Sequence, residues 1–225
     1  MDEGMNMRRA IVVILLLTAL PAAAEKVRHT FESSVPRGKV RRVVVDIPTG
    51  DVEVRNGAAD RLAVSGWVAR DPDSDRNRAK EQRIVDDTSV EIYASNDEAI
   101  VRRKFGPEAS SWRGSMFSDY KIRLEVPAGM SVDLLTRFGD VSIDGSFGDI
   151  DVDLRAGDID LTMPKKDVRE LNASARVGEV RARLGDEIVE REGVFPGTTR
   201  YRNENGRSIV NVHATAGDVR VNLTK

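Results

Sequence analysis

Six short segments share one pattern: a glycine, an acid, then apolar and polar residues in strict alternation. They begin at Gly50-Asp51-Val52-Glu53-Val54, Gly139-Asp140-Val141-Ser142-Ile143, Gly148-Asp149-Ile150-Asp151-Val152 and Gly157-Asp158-Ile159-Asp160-Leu161. The last two are Gly178-Glu179-Val180-Arg181-Ala182 and Gly217-Asp218-Val219-Arg220-Val221. Alternation with period two predicts a strand that buries one face. Glycine turns the chain where a Cβ would clash, and an adjoining acid hydrogen-bonds backbone amides in the bend. Gly139, Gly178 and Gly217 lie 39 residues apart, which aligns Val132, Leu171 and Val210, then Leu134, Ala173 and Val212, then Phe138, Val177 and Ala216. Beyond the glycine, Val141, Val180 and Val219 align, followed by Ile143, Ala182 and Val221. Phe138 and Val141 are three residues apart, so one flat strand does not keep both on one face, whereas a corner between two strands does. The expected fold is therefore all-β: a β-solenoid or β-roll of short Gly-Asp-cornered strands. A β-sandwich whose turns begin with Gly-Asp is the plainer alternative.

The N-terminal half repeats the pattern more weakly. Strands are expected at residues 39–47, 50–54, 61–69 (through Leu62, Val64 and Trp67), 89–94, 99–104 and 120–126. One short helix is expected over 75–86, capped by Asp73 or Ser74. Asn205-Gly206, between apolar-alternating segments, predicts a hairpin. Residues 106–119 form a polar loop of a length that is uncommon without a function. Trp112, Met116 and Phe117 within it are candidate partner-binding side chains, or a cap folded over one end of the strands.

Before the first strand, Arg8-Arg9, an apolar run from Ala10 to Leu20 and the small residues Ala22-Ala23-Ala24 read as a signal peptide over residues 1–24, cleaved before Glu25. Residues 25–225 are then one domain, irregular over 25–119 and regular over 120–225. The expected location is the periplasm, the cell envelope or the exterior. No later stretch approaches the ~20 apolar residues of a membrane-spanning helix.

Val126-Pro127-Ala128-Gly129-Met130-Ser131-Val132 and the Gly-Asp-Val/Ile units that follow resemble the bacterial putative-adhesin family of domains of unknown function. The likeness runs roughly from Val43 to Leu223. It implies an exported or membrane-tethered protein with a β-solenoid-like fold, and brings no catalytic residues with it.

Composition narrows the chemistry. With 35 Lys and Arg against 37 Asp and Glu, the net charge is -2, which excludes the basic face that nucleic acid demands. There is no cysteine, hence no disulfide, thiolate nucleophile or cysteine-held metal. The two histidines, His29 and His213, stand alone and imply no metal site. Asp149, Asp151, Asp153, Asp158 and Asp160 offer an acidic strip that a glycan-cleaving enzyme or a calcium site would use. The repeat, however, accounts for these acids without chemistry. No catalytic, cofactor or metal residues are assigned. The expected function is a non-enzymatic, adhesin-like binding or scaffolding surface whose partner is an envelope protein or glycan. An envelope-stress accessory or sensor, and a glycan-active β-helical enzyme, are the alternatives.

Overall fold

The structure is a computed structural model describing residues 26–107, 109, 118–185, 187–189 and 197–225. The leader at residues 1–24 lies outside the described residues.

Two mixed sheets face one another across a single core of buried aliphatic side chains. Neither closes into a barrel among the described residues. The strands are β1 (Val27–Pro36), β2 (Arg42–Asp46), β3 (Asp51–Asn56), β4 (Arg61–Arg70), β5 (Thr88–Ser95) and β6 (Glu98–Phe105). They continue with β7 (Asp119–Val126), β8 (Ser131–Phe138), β9 (Val141–Asp144), β10 (Ile150–Ala156), β11 (Ile159–Pro164) and β12 (Val168–Val177). The last are β13 (Val180–Leu184), β14 (Glu187–Val189), β15 (Gly197–Arg202), β16 (Ser208–Ala216) and β17 (Val219–Thr224). The nine-stranded sheet runs β1-β4-β7-β3-β9-β11-β17-β13-β14, and the eight-stranded sheet runs β15-β12-β16-β10-β8-β2-β6-β5.

The expected Gly-cornered pairs are present. β2–β3, β8–β9, β10–β11, β16–β17 and β12–β13 each cross from the eight-stranded to the nine-stranded sheet through Gly50, Gly139, Gly157, Gly217 and Gly178 respectively. Pairs adjacent in the stack run parallel in both sheets. β6–β7 is a sixth pair, parallel to β2–β3.

The stacking order departs from chain order. β16–β17, the last pair in the chain, inserts between β10–β11 and β12–β13. The aligned columns survive as Val132–Ile150–Val210–Leu171 and Leu134–Val152–Val212–Ala173, with Gly178 and Gly217 as true neighbours and Gly139 two further steps away. Leu134, Ile143, Val180 and Val212 are all buried. The outermost column behaves differently. Phe138 and Val177 are half-exposed, because the strand runs past the edge of the core before it turns.

Asn205-Gly206 does not close a hairpin. β15 and β16 lie on opposite sides of β12, antiparallel and parallel to it, and the turn carries the chain across the start of that strand. Arg207 N–H donates to the Asp167 carbonyl in passing.

Antiparallel strands close both ends of the parallel stack: β4, β1 and β5 at one end, β14 and β15 at the other. The helix α1 (Arg78–Asp86) packs against β1, β4 and β5. It buries Ile84 and Val85, and Arg70 on β4 holds Glu81 at 2.5 Å. Its N-cap is Asn77 rather than Asp73 or Ser74, whose segment is a turn in which Asn77 N–H donates to the Ser74 carbonyl.

Candidate binding faces

The most repeated residues of the chain form one ladder. Asp140 N–H donates to Asp51 Oδ1 at 3.1 Å, Asp158 N–H to Asp140 Oδ1 at 2.9 Å, Asp218 N–H to Asp158 Oδ1 at 2.9 Å, and Glu179 N–H to Asp218 Oδ1 at 3.0 Å. Each acid thus satisfies a backbone donor one strand away at a place where the sheet ladder is interrupted by the turn. Beneath this row the glycines stack. A Cβ on Gly217 would stand 1.8 Å from the Gly157 carbonyl oxygen, and one on Gly157 2.1 Å from that of Gly139. The corner acids are committed to holding neighbouring pairs together.

The five acids of the expected strip do not share a face. Asp151 and Asp153 lie on the outside of the eight-stranded sheet, and Asp158 and Asp160 on the nine-stranded side. There Arg220 pairs with Asp158, Asp160 and Asp218 at 3.3, 3.6 and 3.2 Å. Asp149, at the opposite corner, accepts the Ile209 N–H at 2.8 Å. Partial desolvation on the sheet, then the Asp133 and Asp153 carboxylates, push Asp151 above its ordinary range, with Arg42 pulling the other way. The histidines are apart: His29 Nδ1 lies 3.5 Å from Asp86, and His213 Nδ1 lies 2.9 Å from Ser174 Oγ on the outer face. Trp112, Met116 and Phe117 lie outside the described residues; of that segment, Ala109 and Ser118 are buried.

A surface feature with no counterpart among the sequence expectations is Trp67. Alternation groups it with Leu62 and Val64 as one series, but it is out of phase with them. Leu62, Val64 and Val68 point inward and are buried, and Trp67 is turned to the outer face of the nine-stranded sheet. The parity of the numbering is the signal that distinguishes them. Arg28 stacks its guanidinium 4.2 Å from the indole centroid. A hollow of about 320 Å³ is lined by Trp67, Ser65, Gly66, Lys121, Arg123 and Glu53. Glu53 is held by Arg55 and by Arg123, whose Nη2 is 3.2 Å away. Lys121 makes no ion pair among the described residues and stands in register with Trp67 and Asp51. Trp67 also lines a second hollow, toward the corner, with Thr49, Asp51, Tyr120 and Phe138. Together they make an open trough with one aromatic wall and several donors and acceptors.

No family model matches this sequence, and no curated protein matches it. Among solved structures the chain is similar to a putative cell adhesion protein from Clostridium sporogenes, at 13% identity and a TM-score of 0.43, over 87% of this chain and 99% of that one. It is also similar to a putative adhesin from Bacteroides fragilis (7% identity, TM-score 0.33, 86% and 96% covered) and one from Parabacteroides distasonis (9%, 0.22, 85% and 97%).

Proposed function

We propose that this chain is an exported, non-catalytic binding module of the cell envelope: an adhesin-like surface carried on a short β-solenoid whose two ends are closed. The leader-like first 24 residues and the resemblance of the Gly-Asp units support the export and the adhesin-like class. The observation that carries the reading is the contrast between two sets of polar groups. The corner acids accept backbone amides of the next strand. The groups around Trp67 line an open hollow on a broad face, with Arg28 stacked on the indole and Glu53 paired with Arg55 and Arg123.

An indole beside Lys121, Arg123, Glu53 and Ser65 suits a hydroxyl-rich ligand. The ring takes the apolar face of a sugar, and the charged groups take its hydroxyls; few, well-placed polar groups around an apolar wall are the usual composition of such a site. The ligand class is accordingly a saccharide of the envelope. Binding to an array of envelope glycans, read for wild type and Trp67→Ala, tests this. At least tenfold weaker binding by the variant is expected. Unchanged binding, or the appearance of shortened glycans with time, overturns it.

A further inference from the structure

The exposed large hydrophobic side chains among the described residues are Leu135, Phe138 and Val177, at 52%, 50% and 56% exposure. Phe138 and Val177 lie along one corner of the stack, and Leu135 lies on the outer face of the eight-stranded sheet, in register with Asp46 and Asp153. Phe138 and Val177 are the ends of a row that continues through Ala156 and Ala216, one residue per strand. One residue earlier on the same strands come Arg137, Arg155, Thr215 and Arg176, on the outer side of the eight-stranded sheet with Leu135. The row spans three strand spacings, about 14 Å. None of these arginines makes an ion pair or a side-chain hydrogen bond among the described residues. Arg137 and Arg155 are direct cross-strand neighbours, an arrangement that destabilises a sheet.

Unpaired like charges and exposed apolar side chains are each costly, and here they coincide at one edge. The corner acids point elsewhere: Asp140, Asp158, Asp218 and Glu179 sit past the glycines on the nine-stranded side, with three of the four accepting backbone amides and Arg220 among them. Asp46 and Asp153 flank Leu135 on the eight-stranded face, one row in from Arg137 and Arg155, with His213 beside Asp153.

We infer that the corner bearing Phe138, Val177, Arg137, Arg155 and Arg176 docks on an anionic lipid bilayer. The arginines face lipid phosphates, while Phe138 and Val177 enter the interface between headgroups and acyl chains. Apolar groups flanked by cations meet both regions of that surface at once, which a soluble polyanion does not offer.

The test is co-sedimentation of the protein, purified from the envelope or culture fraction, with two kinds of vesicle: phosphatidylcholine alone, and phosphatidylcholine with an equal amount of phosphatidylglycerol. Comparing variants from one preparation removes any contribution of the N-terminal apolar run. Binding is expected to the mixed vesicles only, about fivefold weaker for each arginine replaced by Gln, and lost in the Arg137→Glu/Arg155→Glu/Arg176→Glu variant. Phe138→Ser/Val177→Ser is expected to weaken it about tenfold while its melting temperature stays unchanged. The inference is overturned if neither vesicle binds at low salt, or if the triple variant still binds. It is overturned equally if the serine variant keeps wild-type vesicle affinity, which marks a surface for soluble polyanions.

Discussion

Asp158 Oδ1 accepts the backbone N–H of Asp218 at 2.9 Å, sixty residues away in sequence and one strand away in the stack. The oxygen, not the charge, makes this bond, so Asn at the same position keeps it. Asp158→Asn is expected to change stability little, losing only the half-exposed pairing with Arg220. Asp158→Ala leaves the Asp218 amide without its acceptor and is expected to cost about 1–2 kcal/mol. Urea unfolding of both variants checks the order. The same ladder implies that melting midpoints in millimolar calcium and in chelator coincide; a calcium-dependent rise abolished by Asp158→Asn would reassign the corner acids to a cation.

Gly157 and Gly129 both have positive φ, +138° and +78°, but differ in surroundings. A Cβ at Gly157 meets the Gly139 carbonyl oxygen at 2.1 Å, whereas nothing lies within 4 Å of one at Gly129. Gly129→Ala is expected to cost about 1 kcal/mol, the strain of its backbone alone. Gly157→Ala also has to push neighbouring strands apart and is expected to cost clearly more, or to prevent folding. Thermal melts of the pair separate backbone strain from close packing.

Leu134 and Phe138 lie four residues apart on one strand with opposite expected consequences. Leu134 is buried in the column with Val152 and Val212, and Leu134→Ala is expected to cost about 2–5 kcal/mol. Phe138→Ser, at the exposed corner, is expected to stay within about 0.5 kcal/mol of wild type. Denaturant midpoints measure both.

Asp151 sets a pH dependence of opposite sign to that of a salt-bridged carboxylate. Its folded-state pKa is raised, first by partial desolvation and then by Asp133 and Asp153. The folded chain therefore holds this proton more tightly than the unfolded chain. The contribution is favourable in acid and is lost as pH rises from the ordinary aspartate range through the raised value. Asp151→Asn is expected to raise the melting temperature at neutral pH, with the gain vanishing in acid. Melts across that range test it; a gain that persists in acid would place its origin elsewhere.

Export makes its own prediction. N-terminal sequencing of the protein from the envelope or culture fraction is expected to begin at Glu25 or within a few residues of it. Intact Met1 or Met7 protein recovered from the cytoplasm would contradict the leader reading.

Much of the architecture is legible in the sequence because strand alternation is a local property. Val141, Ile143, Val180, Val210 and Val212 each announce a buried face by their spacing from a glycine, and all are buried. Trp67 is misplaced for the same local reason: apolar residues grouped by proximity lose their parity past Gly66. The trough around it stays hidden because Lys121, Arg123 and Glu53 come from strands β7 and β3, which only the sheet order brings beside β4.

The sequence by itself determined the repeating unit, the inward and outward faces of its strands and the glycine corners, since each follows from period-two alternation and from the cost of a Cβ in the turn. It left the order of stacking open. Every pair presents nearly the same apolar column, the same glycine and the same acid, so one parallel neighbour satisfies the pattern as well as another. Only the tertiary structure decided that β16–β17 enters between β10–β11 and β12–β13. With β15 lying antiparallel on the far side of β12, Asn205-Gly206 then has to pass over that strand instead of folding back as a hairpin. The same placement sets Ala216 between Ala156 and Val177 and completes the exposed row that starts at Phe138. That row depends on where the core ends, which no local pattern encodes.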